Sequence, residues 1–147
     1  MKRATLLFSL LLLLAPLQAA DRLQMARTPQ NFPEAMLQLQ EVIKQHGYTV
    51  SRVQRVDIGL TTFGYQTDKY RVVFYGKPEQ VRRITDEYPQ LIPYLPLKIA
   101  IFAEAEDTLL VASNPTQLLQ TDQPELNQVL KTWSADLLSI METMRGE

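Results

Sequence analysis

Residues 70–112 constrain the fold more than any other stretch of this chain, because dense apolar content and long-range pairing signals coincide there. Tyr70, Arg71, Val72, Val73, Phe74 and Tyr75 read as a strand. Both alternating sets of positions are largely hydrophobic, which predicts an interior strand covered on both faces. Gly76-Lys77-Pro78 predicts a turn in which Gly76 takes a backbone region closed to other residues and Pro78 opens a helix. That helix runs to about Tyr88, with Val81, Ile84 and Tyr88 inward and Arg82 and Arg83 outward. Pro89, Pro93 and Pro96 then predict an extended path, pinned to the core by Leu91, Ile92, Tyr94 and Leu95. Strands at 98–104 and 108–112, joined by a tight turn at Glu106-Asp107, predict an antiparallel hairpin.

The flanking segments supply cover for these strands. Residues 22–27 alternate, with Leu23 and Met25 on one side, as in a short first strand or an arm. A helix is predicted over 31–46. Asn31 and Glu34 have capping-box spacing, Met36, Leu39, Val42 or Ile43 and His46 form its buried stripe, and Gly47 serves as a left-handed cap. Residues 48–60 predict a strand, bulged or covered on both faces, because Val53 breaks the parity of Val50, Val56 and Ile58. Residues 59–68 read as a connecting loop carrying Phe63 and Tyr65, expected to fold under and fill the edge of the core. The clearest periodicity lies in 122–145. Asp122 and Glu125 are expected to cap a helix whose stripe of Leu126, Val129, Leu130, Trp133, Leu137, Ile140 or Met141 and Met144 covers the sheet.

The N-terminus bears on the compartment. Lys2 and Arg3 precede an apolar run at 6–14 and a small-residue end at Ala19-Ala20, the pattern of a secretory signal peptide over residues 1–20. The run is shorter than the roughly 20 residues of a membrane span, so no stable membrane anchor is expected after cleavage. The mature domain, 21–147, is expected to be periplasmic or secreted. Cleavage removes two cations and shifts the formal charge from −1 to −3. Residues 61–103 are mildly basic and 104–147 acidic, a balance too weak for nucleic acid. The chain has no cysteine, which excludes disulfides, thiolate metal sites and cysteine nucleophiles.

Several residues invite a chemical role. His46 is the one histidine, but a place in the last turn of a helix favours capping over catalysis. Lys77 beside Gly76 could assist an anion at a helix start, and Glu104, Glu106 and Asp107 could pair as acids. Turn geometry and a solvated hairpin account for both. No cofactor or metal is expected.

Three ordered motifs carry a family resemblance: Phe74-Tyr75-Gly76-Lys77-Pro78, Leu95-Pro96-Leu97-Lys98-Ile99 and Val111-Ala112-Ser113-Asn114-Pro115. Together they resemble the "domain of unknown function 302" family, with its Phe-Gly-x-Pro turn, its Leu-Pro-Leu-Arg/Lys step and its exit at proline. The resemblance covers residues 32–119. Residues 57–68 depart from the family's pattern, a tyrosine is added before Gly76, and the last helix reads as an appendage. The resemblance implies an α+β domain with an antiparallel sheet of four to five strands and helices on one face, a TATA-binding-protein-like arrangement. It implies no activity.

Three functional classes follow. A ligand-binding domain would carry a cleft between the sheet and the 59–68 loop, lined by Tyr65, Tyr70 and Tyr94, with Lys98 or Arg71 setting charge preference. An accessory or dimerisation module of an envelope complex would expose apolar surface on the last helix. An enzyme would need converging titratable groups, which the sequence does not display. The expectation is an exported, non-catalytic ligand-binding or accessory domain whose partner is a small ligand, an envelope protein or a second copy.

Overall fold

The structure, a computed structural model, describes residues 22–146, so the expected leader lies outside the described residues. Five antiparallel strands form one sheet: β1 (Leu23–Thr28), β2 (Thr49–Arg55), β3 (Tyr70–Gly76), β4 (Leu97–Glu104) and β5 (Asp107–Ser113). Their spatial order is β1-β5-β4-β3-β2. Helices α1 (Phe32–Gln45) and α4 (Pro124–Arg145) pack on one side of it. A six-residue helix α2 (Val56–Thr61) follows β2, and α3 (Pro78–Glu87) follows β3.

Local chemistry sets the helix boundaries. Asn31 Oδ1 accepts from the Glu34 backbone N–H at 3.1 Å, and Gly47 sits at φ +78° after the last turn. The α1 stripe buries Phe32, Ala35, Leu39, Val42 and Ile43. Helix α4 buries Leu126, Leu130, Trp133, Leu137, Ile140, Met141 and Met144, meeting Ala26, Leu110, Ile101, Ile99 and Val73 from the sheet in one apolar core. Burial of each large side chain contributes about 1.5–3 kcal/mol.

Several expectations change in the structure. On β1 Leu23 and Met25 do share one side, the outward one, while Ala26 and Thr28 turn inward. Strand β2 ends at Arg55 after a register shift between Val50 and Arg52, and residues 56–61 are helical. The following loop is not folded under: Phe63 is 86% and Tyr65 61% exposed. Residues 89–94 form a 3-10 helix in place of an extended path, with Leu91 buried as its anchor. Helix α4 starts at Pro124 with Gln123 as its cap residue and no side-chain cap. Glu125 instead pairs with Arg83 at 2.5 Å. Finally, β3 is interior but covered on one face alone. Val73 and Tyr75 are buried, whereas Tyr70, Val72 and Phe74 keep partial exposure.

Gly76 ends β3 at a negative φ, so conformational freedom is not what the position requires. A Cβ there would lie 2.7 Å from Val81 Cγ2, across the tight junction between β3 and α3. Gly76→Ala is therefore expected to cost about 1–3 kcal/mol as overpacking. It should appear as a lower denaturant midpoint at unchanged slope, largely recovered when Val81→Ala is added. A single variant with the native midpoint would refute the contact.

Candidate interaction face

The pleat sends every second strand residue to the side away from the helices. Register then aligns these residues into rows. Met25, Val111, Ala100 and Val72 lie across β1, β5, β4 and β3, and beside them run Arg27, Leu109, Phe102 and Tyr70, apolar but for Arg27 at the β1 edge. Tyr70 and Phe102 meet edge to face with centroids 6.0 Å apart. The inward residues of the four strands from β1 to β5, β4 and β3 are mostly buried, whereas every member of these rows is partly or largely exposed, Met25 at 47%. The face is thus largely apolar, and among the described residues no helix lies over it, which explains the unbroken hydrophobic run of β3.

Charge divides the two ends of this face. Lys98 on β4 and Arg52 on β2 flank Phe74 at one end. Glu104 and Asp107 close the other, beside the two-residue turn at Ala105-Glu106. Arg27 donates to Glu104 at 2.6 Å, and that hydrogen bond holds the Glu104 carboxyl below its usual range. Both sheet edges are blunted. The Arg145 guanidinium donates to the Met25 carbonyl on β1, and β2 is bulged near Ser51.

Among the expected site residues, Tyr94 and Lys98 come together, lining a recess with Tyr75, Leu97, Ser113 and Pro115 at the basic end of the sheet. Its volume is about 30 Å³, room for a water or two and far below the roughly 300–1,000 Å³ of small-molecule sites. Tyr65 lies apart on the exposed loop after α2, and Tyr70 belongs to the outer face. Arg71 points to the helical side, where it pairs with Asp57 and stacks 5.7 Å from the centroid of the Phe32 ring. No cleft joins these five residues.

The polar groups under the helices serve structure. His46 Nδ1 lies 2.8 Å from the Val42 carbonyl, so that nitrogen carries the proton, and Nε2 lies 3.0 Å from Ser139 Oγ, tying α1 to α4. Tyr48 donates to Asp136 at 2.6 Å, and Lys77 sits 4.7 Å over the Tyr48 ring. Burial, reinforced for Tyr48 by its bond to Asp136, pushes both the Tyr48 and Tyr75 phenols well above their ordinary range. Both therefore stay protonated at neutral pH. Among the described residues no group of three or more His, Asp or Glu side chains is placed to hold a metal, and no helix is long and apolar enough to cross a membrane.

The family model described as "Domain of unknown function DUF302" matches residues 24–144. This chain belongs to the DUF302 family. The match takes in nearly all of β1 and of α4, so the last helix is part of the DUF302 domain and no appendage; without it, α1 would be the one long helix left against the core side of the sheet among the described residues. A solved structure, described as the crystal structure of an uncharacterized conserved DUF302 protein from Bacillus stearothermophilus, is similar at a TM-score of 0.75 and 20% identity. The similarity covers 86% of this chain and 100% of that one, which shows a shared DUF302 fold. No curated protein matches the chain.

Proposed function

We propose that this chain is an exported, non-catalytic accessory domain that works by holding a protein surface against its outer sheet face. The observation that carries this reading is the largely apolar face that no helix among the described residues covers, with Met25, Val111, Ala100 and Val72 in one row and aromatic Phe102 and Tyr70 beside it. Trp133, Met141 and Met144 are buried in the core, so the last helix offers no comparable surface. The recess supports a narrower ligand reading as well. Tyr94 and Lys98 frame a space fit for one small polar group at the edge of a larger bound surface.

Native mass measurement of the protein purified from its own envelope fraction tests this. The wild type is expected to carry a second polypeptide, of its own kind or another, and Val111→Lys to carry none while keeping the native circular dichroism. Equal retention by both would overturn the assignment to this face. Turnover of any substrate, abolished by replacing one ionisable side chain, would overturn the non-catalytic reading. Lys98→Ala with Tyr94→Ala should lower affinity for the retained species, and unchanged affinity would remove the recess from the site.

A further inference from the structure

We infer that the occupant of the outer sheet face is a second copy of this chain, packed face to face about a twofold axis running across the strands. This rests on the reading of that face as a binding surface. A face-to-face twofold can lie along the strands or across them. Along the strands, Lys98 would meet Lys98 and Glu104 would meet Glu104. Across them, β4 lies over β4 of the second copy in reverse, and Lys98 meets Glu104 at both ends of the strand.

The same axis matches side-chain size. Set between the two apolar rows, it places Phe102 over Ala100 of the second copy and Leu109 over Val111, large against small, as two sheets about 10 Å apart require. Neither edge competes, since Arg145 occupies a β1 carbonyl and β2 is bulged. Five strands about 4.8 Å apart and about 20 Å long present roughly 500 Å² per copy. Two copies thus bury roughly 1,000 Å², the low end of specific interfaces, so a weak, reversible dimer is expected.

Sedimentation equilibrium of the purified protein, expressed from its full sequence, reads the outcome. The wild type should show a concentration-dependent monomer–dimer equilibrium. Lys98→Glu and Glu104→Lys should each weaken it at least about tenfold, by creating like-charge pairs at both ends. Glu104→Lys also removes the Arg27 ion pair. That pair is exposed, so the fold should persist, as circular dichroism will show. Mixing the two variants should restore wild-type affinity, because each copy then meets an opposite charge at both ends. A mixture no tighter than either variant alone overturns this packing. A wild type monomeric to about 1 mM overturns the second copy. If that monomer still retains a different protein, lost in Val111→Lys, the interaction face itself stands; if nothing is retained, both readings fall.

Discussion

Replacing Trp133 by alanine is expected to lower the unfolding free energy by about 3–5 kcal/mol, the largest effect of any single truncation in this chain. Trp133 is 2% exposed in the middle of α4, and its Nε1–H donates to Gln80 Oε1 on α3 at 2.8 Å. The variant opens a cavity in the core and leaves Gln80 without that donor, so the transfer and hydrogen-bond losses add. Domains of this size hold only about 5–15 kcal/mol in total, which places the variant near the limit of folding. Trp133→Phe separates the two contributions: it keeps most of the volume and should cost about 1–2 kcal/mol, close to the hydrogen bond alone. The measurement is a urea titration followed by circular dichroism. A Trp133→Ala midpoint within error of wild type would mean that α4 does not pack on the sheet as described.

The second large effect concerns a residue that the sequence placed in a binding site. Arg71→Ala is expected to cost about 2–4 kcal/mol, because it strips Asp57 of its partner at a position where both side chains are only 14–15% exposed. It also removes the contact with the Phe32 ring. The hydrogen bond from Arg71 holds the Asp57 carboxyl below its ordinary range in the folded state. A depressed carboxylate contributes stability that is present above its unfolded pKa and lost as pH falls through the folded one. Wild-type stability should therefore fall on acidification through and below the ordinary carboxylate range, and Arg71→Ala should flatten that fall. If the variant instead keeps full stability with an unaltered acid limb, Arg71 is free for a ligand and its structural assignment is wrong.

Arg71 shows where reading residues one at a time stops. Its place in an apolar strand between Tyr70 and Val72 suggested a charge set beside aromatic groups for recognition. The partner that satisfies it, Asp57, comes from α2, fourteen residues earlier. Nothing in the spacing announced that helix, since 56–61 continues the hydrophobic alternation of β2 and carries a glycine. His46 was more legible, because the end of a helix is a local environment and one carbonyl four residues back meets half of its hydrogen-bonding need. The recess was half legible. Tyr94 and Lys98 lie close in sequence, but Ser113 and Pro115 reach them only by the pairing of β5 with β4.

The α+β class, the capped first helix, the β4–β5 hairpin and the buried stripe of the last helix were determined by the amino-acid sequence alone. Each depends on a periodicity or a cap spanning a few neighbouring residues, and such interactions act at short range. The tertiary structure decided which side of the sheet the helices cover. The apolar run of β3 is equally compatible with burial on two faces and with burial on one, and only the seating of α1 and α4 distinguishes them. It also gathered Met25, Val111, Ala100 and Val72 into a single row. That juxtaposition comes from strand register, which is set by packing across the whole sheet and is written in no one segment.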